Sequence, residues 1–128
     1  MRGHGRSFAK YLDGVPNRLW PMVRVPAGAL AGVAATFLLV VGIEAFGLAV
    51  HPFPEDFQGS HEEICAHVAR YPAWVLAVVI GLWALAAGTG TLVARAVGGN
   101  RVAPTIVGAL ILAALALNLS MLPYPWWF

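Results

Sequence analysis

Charged residues are scarce in this chain. Asp, Glu, Lys and Arg make up 11% of its 128 residues, less than half of the usual share of about 25%. A soluble domain of this length needs many more surface charges, because it buries only about two-thirds of the area that its unfolded chain exposes. The single cysteine, Cys65, excludes an intrachain disulfide and any CxxC metal or redox motif. A disulfide-rich secreted miniprotein and a conventional cytosolic enzyme are therefore excluded.

Apolar residues are abundant instead. They make up 59% of the chain, and the mean hydropathy is +0.74. Most of them lie in three apolar runs, residues 27–50, 72–94 and 102–122. Each run is long enough for a helix to cross the hydrocarbon core, which takes about 20 residues, and a helix satisfies its own backbone hydrogen bonds in lipid. The sequence predicts an all-α integral membrane bundle of three transmembrane helices.

The segment between the first two runs, residues 51–71, contains a helix start signal. Ser60 is followed three residues later by Glu63, a spacing typical of a capping box in which each residue satisfies a backbone N–H of the other. Three apolar residues then fall on one face of a helix, at i, i+4 and i+7: Ile64, Val68 and Tyr71. We therefore predict a short amphipathic helix over about residues 60–70, on the extracytoplasmic surface of the membrane.

Positive charges are concentrated on one side of this predicted topology. Residues 1–26 carry five Lys and Arg residues against one Asp, and the turn at residues 95–101 carries two Arg and no acid. The 51–71 loop carries four acids against one Arg. Because cytoplasmic loops are enriched in Lys and Arg, we expect the N-terminus and the turn to be cytoplasmic, and the loop and the C-terminus to be extracytoplasmic. No face interleaves basic and aromatic residues, so no nucleic-acid partner is expected.

Tryptophans lie at both predicted membrane interfaces. Trp20 precedes the first run, while Trp126 and Trp127 belong to the aromatic end of the chain, residues 123–128. Tryptophan prefers the headgroup region, so we expect these three residues to be interfacial anchors in the lipid bilayer.

Each predicted span also carries small residues at spacings that let two helices approach closely. The helix-packing candidates are Gly28, Gly32, Ala84, Gly88, Gly90 and Gly108. Their faces fit an intramolecular bundle, and they equally fit contact with a second copy or a larger partner.

Glu44 is the one charged residue within the three predicted spans. It lies about six residues, or roughly 9 Å, from the extracytoplasmic end of its helix. An ionised carboxylate is costly at that depth, which makes Glu44 a candidate proton carrier, ion ligand or partner of a charge on another subunit. Alternatively, it reaches the interface or binds polar groups of the neighbouring spans, of which Asn118 and Ser120 are the nearest in depth.

A cluster of His61, Cys65 and His67 raises the possibility of a metal site. His61 and Cys65 share a helix face, but the cluster misses the HExxH zinc motif because Cys65 replaces its second histidine. No phosphate-binding glycine loop, Ser/His/Asp set or pair of catalytic carboxylates stands out. We therefore expect no metal, no cofactor and no enzymatic activity.

Three elements at the ends of the spans form a further pattern: Glu44 with the turn His51-Pro52-Phe53-Pro54, the helix end Leu92-Val93-Ala94-Arg95, and the segment Leu122-Pro123-Tyr124-Pro125-Trp126-Trp127-Phe128. From about residue 25 onward, the chain resembles a group of small uncharacterised bacterial inner-membrane proteins. Members usually continue past the P-x-P-x-W-F element into a fourth helix. The resemblance implies the inner membrane, and either a three-helix variant or a longer native chain; it implies no activity.

Three functions fit these observations, and the weakest of them is a membrane enzyme that uses the face of His61, Cys65 and His67. The first is a non-catalytic accessory or structural subunit that packs against itself, as a homo-oligomer, or against a larger membrane-protein complex. The alternative is a small oligomeric proton-linked transporter or channel that uses Glu44.

The predicted orientation can be tested at Cys65, which lies in the loop expected to be extracytoplasmic. A membrane-impermeant maleimide added to intact spheroplasts should label Cys65, and the Cys65→Ser variant gives the background. Labelling that appears only after lysis would contradict the orientation.

Overall fold

The computed structural model describes residues 19–128, and helices occupy 79% of them, with no strand in that range. The helices are α1 (Leu19–Val50), α2 (His61–Ala69), α3 (Ala73–Gly98) and α4 (Val102–Met121). Three of them, α1, α3 and α4, are long and apolar enough to cross a membrane. This confirms the predicted all-α class with three helices able to span a membrane.

The first helix is longer than predicted, because it begins at Leu19 rather than at residue 27. Pro26 therefore lies inside α1 and not in its first turn. Proline has no amide hydrogen, so it cannot donate to the carbonyl of Met22, and α1 lacks one backbone hydrogen bond there. The predictions for residues 1–18 lie outside the described residues, as does the side chain of Trp20.

The connection between α3 and α4 is shorter than the predicted turn at residues 95–101, because α3 continues to Gly98. The residue that caps its end is Gly99. Its φ of 66° is the left-handed conformation that favours glycine, and its N–H donates to the carbonyl of Arg95. Asn100 then starts α4, as its side-chain oxygen accepts hydrogen bonds from the N–H groups of Val102 (2.9 Å) and Ala103 (3.3 Å). This end of the bundle is called the turn end, and the opposite end the loop end.

The capping box predicted at the start of α2 is present. The Ser60 hydroxyl accepts from the backbone N–H of Glu63 at 3.2 Å, and the Glu63 carboxylate accepts from the backbone N–H of Ser60 at 3.0 Å. Two hydrogen bonds that Ser60 donates to the Glu63 carboxylate, first from its backbone N–H and then from its hydroxyl at 3.0 Å, hold the pKa of Glu63 below its usual value. The box fixes where the loop becomes helix.

Helices α1 and α3 meet through glycine at the turn end, where their backbones touch. A Cβ atom added to Gly28 would lie 2.6 Å from Cα of Gly98, and one added to Gly32 would lie 2.6 Å from the carbonyl oxygen of Gly90. Thr36 covers Gly90 so closely that a Cβ there would overlap the threonine hydroxyl. Only glycine at these positions permits this separation of the two helices.

Helix α4 joins the same contact with small and β-branched side chains. Ala94, Ala103 and Val107 are fully buried and form one cluster. A Cβ atom on Gly32 would lie 3.0 Å from a methyl group of Val107. The tightest packing of the three spans is therefore at the turn end.

The remaining packing candidates lie elsewhere. Gly108 makes an ordinary contact, since its Cβ would lie 3.9 Å from the Thr91 methyl group. Gly88 is exposed, and within residues 19–128 no neighbouring helix comes within 4 Å of a Cβ built on it. Gly88 thus takes no part in packing within the described chain, and its packing role stays a prediction for contact with another chain.

Substituting Gly28 should destabilise the bundle, because the added methyl group meets backbone atoms that cannot rotate away. We expect Gly28→Ala to lower the free energy of unfolding by about 1–3 kcal/mol. Gly42 in the same helix is the matched control, since no neighbouring atom lies within 4 Å of its Cβ; Gly42→Ala should be neutral or stabilising, by at most about 1 kcal/mol. Denaturation of the detergent-solubilised variants measures both, and equal effects would contradict the contact.

Candidate functional site

A cavity of about 490 Å³ opens between the spans toward the loop end. Its walls come from the last turns of α1, the first half of α3 and the second half of α4, while α2 and the final residues of the chain border its mouth. Aliphatic side chains form most of the wall, with Trp83 among them. The cavity lies at the end of the bundle opposite the close contact that Gly28 and Gly32 make with α3.

Glu44 lines this cavity. Among residues 19–128, no donor forms a hydrogen bond with its carboxylate and no cation pairs with it. One turn further along α1, Gly47 leaves space for the side chain of Tyr71, since a Cβ on Gly47 would lie 3.2 Å from the Tyr71 hydroxyl oxygen. The structure thus places a carboxylate and a phenol on one wall of a cavity lined mainly by apolar side chains.

A second phenol, Tyr124, lines the cavity from the end of the chain. Burial raises the pKa of Tyr71 and of Tyr124, and the negative charge of Glu44 raises both further. Both hydroxyls are therefore protonated donors within electrostatic range of the carboxylate. The ring of Tyr124 stacks on Phe128 of the same final segment, with 4.3 Å between centroids, and both residues line the cavity.

The two polar neighbours proposed for Glu44 behave differently. Asn118 lines the cavity. The Ser120 hydroxyl donates to the carbonyl of Leu117 at 2.7 Å, within its own helix. Of the two, only Asn118 shares the cavity with Glu44.

Four rings from the 51–71 segment pack together at the loop end, and we call them the aromatic cap. They are His51, Phe53, His67 and Tyr71. His67 is central: its ring lies 4.3 Å from that of His51 and 4.4 Å from that of Phe53, measured between centroids. Sequence analysis missed this cluster, because its members come from separate elements. The one local signal was the helical spacing of His67 and Tyr71.

His67 is buried without a partner for part of its ring. Its side chain is 4% exposed, and its Nε2 atom has no hydrogen-bond partner within the described residues. Burial lowers the pKa of His67, and the nearby His51 and Arg70 lower it further. The neutral ring is therefore the form that fits the aromatic cap.

The predicted cluster of His61, Cys65 and His67 is divided by the structure. The Cys65 sulfur lies 3.5 Å from Nε2 of His61, whereas His67 stacks in the aromatic cap. Within the part of the chain that the structure describes, no three His, Cys, Asp or Glu residues lie close enough together to hold a metal ion.

The tryptophans at the end of the chain follow α4. Trp126 is 97% exposed, and Trp127 is 40% exposed. Neither ring is used to fill the bundle, so both are free to contact lipid headgroups, and their anchoring role stays a prediction.

Protonation of His67 should loosen α2 from the spans. Because its pKa is lowered from the ordinary 6.5, its contribution to stability is complete above that value and is lost as the pH falls through the lower native pKa. We expect hydrogen-exchange protection of the α2 amides, corrected for intrinsic rates, to fall between about pH 8 and about pH 5.

The matched variants for this measurement lie on one helix. His67→Gln should remove most of the pH dependence, while His61→Gln, at an exposed position, should retain it. Protection that is the same at both pH values in the unmodified chain would contradict the assignment.

Comparison of the chain with protein-family models, with curated proteins and with solved structures gives no match. The resemblance to the four-helix bacterial inner-membrane group therefore stays a prediction from the sequence. The cavity and the exposed faces of the spans are the features of the molecule that bear on its function.

Proposed function

We propose that this protein is a non-catalytic subunit of a membrane assembly, formed with further copies of itself or with a larger membrane protein in the bacterial inner membrane. The observation that carries this proposal is an exposed stripe of small residues on α3. The stripe consists of Gly81, Ala84 and Gly88.

The exposed glycines of this stripe lower the stability of α3 unless another helix packs against them. Within residues 19–128, no neighbouring helix comes within 4 Å of a Cβ built on Gly81 or Gly88. Each glycine in a helix interior costs about 1 kcal/mol relative to alanine, and toward lipid it offers little surface for van der Waals contact. Small residues at this spacing let the backbone of a second helix approach closely, so a contact with another chain offsets the cost.

Little of each span is buried within the chain, which supports the same proposal. The buried share of the most apolar window is 17% in α1, 22% in α3 and 11% in α4. Three helices thus leave most of their apolar surface available to lipid and to a protein partner. The partner surface would lie on α3 beside the cavity, since Ala84 belongs to the stripe and also lines the cavity.

Charge placement supports an orientation with the turn end in the cytoplasm. Arg24 lies beside Gly99 at the turn end, near Arg95 and Arg101. The acids of the 51–71 segment lie at the loop end. Positive residues favour the cytoplasmic side, so the cavity would open toward the extracytoplasmic surface.

The geometry favours a subunit over the alternative of proton-linked transport through Glu44. Transport requires a path from the cavity to both sides of the membrane. At the turn end, the contacts of Gly28 and Gly32 with α3 bring the two backbones together. Within the described chain, this backbone contact therefore lies between the cavity that contains Glu44 and the turn end of the bundle.

The proposal predicts that the protein, gently extracted from its own membrane, has a native mass greater than that of one 13.6 kDa chain. Gly88→Leu should shift that mass toward a single chain, because the larger side chain prevents close approach of the partner helix. Leu38→Phe, at an exposed position of α1, is the control for added bulk and should leave the mass unchanged. A single-chain mass for the unmodified protein would refute the proposal.

A further inference from the structure

We propose that the cavity at the loop end is a binding site for an amphiphilic organic cation, a monovalent ammonium that carries an apolar chain or ring. The ammonium would lie between the Glu44 carboxylate and the rings of Tyr71 and Tyr124, and the apolar part would fill the aliphatic portion of the cavity. Binding at this site goes beyond the assembly proposed above and does not depend on it.

The charge of the ligand follows from the carboxylate. Glu44 lines the cavity about six residues inside the span, and no donor or cation among residues 19–128 compensates it. A charge in a weakly polar environment is stabilised mainly by a partner of opposite sign. None of the cavity-lining residues is lysine or arginine, so the site complements a cation and disfavours phosphate or carboxylate groups.

Aromatic rings make an organic cation fit better than a metal ion. Tyr71 and Tyr124 line the cavity close to Glu44, and His67, Phe53 and Phe128 border the same end. The face of an aromatic ring attracts an ammonium within about 6 Å of its centroid. A small inorganic cation needs several oxygen ligands in place of its water, usually with more than one carboxylate among them. The cavity offers one carboxylate, with neutral side-chain oxygens only on Tyr71, Tyr124 and Asn118.

The size and walls of the cavity indicate that the cation carries an apolar body. Its volume of about 490 Å³ lies within the range of about 300–1,000 Å³ typical of small-molecule sites. Side chains such as Val79, Ile111 and Leu115 form the wall beyond the polar end. The apolar part of the ligand would be buried against this wall, away from water, while its ammonium group stays beside the carboxylate of Glu44.

The surroundings of the mouth favour entry of a cation. Four acids, Glu55, Asp56, Glu62 and Glu63, lie on the loop and α2, against one arginine, Arg70. A surface of one sign raises the local concentration of ligands of the opposite sign. The same charges disfavour an anionic lipid as the occupant.

The test uses the full chain in nanodiscs of diglucosyldiacylglycerol, an uncharged lipid without an ammonium group that could compete, with 4-phenylbutyl-trimethylammonium as the probe. Equilibrium dialysis against matched empty nanodiscs measures binding beyond partition into lipid. We expect saturable binding of one probe per chain, at least about ten-fold weaker in Glu44→Gln, since that variant removes the partner of the cation while preserving shape. Arg101→Gln also changes the charge by one unit, but at an exposed position of the turn end away from the cavity, and it should change the affinity by less than about two-fold.

A second variant keeps the test decisive if Glu44→Gln does not fold. Leu115→Trp narrows the aliphatic part of the cavity without touching the carboxylate, and it should also abolish saturable binding. Absence of saturable binding to the unmodified chain, or equal affinity in Glu44→Gln, would overturn the proposal. Equal affinity for the uncharged analogue 4-phenylbutanol would also overturn it, because the site would then be simply apolar.

Discussion

The close backbone contact between α1 and α3 is the interaction on which the rest of the structure depends. In lipid, apolar side chains gain little by leaving their surroundings, so helices associate through close van der Waals contact. Gly28 against Gly98 and Gly32 against Gly90 provide that contact with no side chain between the backbones. The buried side chain of Val107 then brings α4 to the same place.

The cavity is a consequence of where that contact lies. The helices are closest at the turn end, and toward the loop end they surround the cavity, whose wall includes Trp83. The space between them contains Glu44 and is bordered by α2, which the capping box and the aromatic cap hold in place. Tight packing at one end and a polar group in a cavity at the other are therefore parts of one arrangement.

Sequence patterns predicted the spans well, because composition and run length decide membrane insertion almost alone. They also predicted the capping box, which depends on residues three apart. The predicted start of the first helix at residue 27 was wrong, because the apolar run marks where the sequence becomes hydrophobic, whereas the helix already begins at Leu19. Small-residue spacing predicts packing faces but does not say which helix covers each one. Gly28, Gly32 and Gly90 lie at the contact between α1 and α3, whereas no described helix covers Gly88, for which contact with another chain stays a prediction.

The candidate site was only partly predictable from the sequence, because its residues come from distant parts of the chain. The rise per residue of a helix was sufficient to predict how far Glu44 lies from the end of its helix. Its neighbours Tyr71 and Tyr124 lie far from it in sequence and meet it only through tertiary structure. Stacking of His51 on His67 likewise needs the loop to fold back onto α1, which no local pattern encodes.

The most direct test of this account is an NMR measurement of the isotope-labelled chain in bicelles. Nuclear Overhauser effects between the α-protons of Gly28 and Gly98, and between Gly32 and Gly90, would establish the backbone contact that the account predicts. Their absence, in spectra that do show contacts between Ala94 and Ala103 across the α3–α4 hairpin, would contradict it.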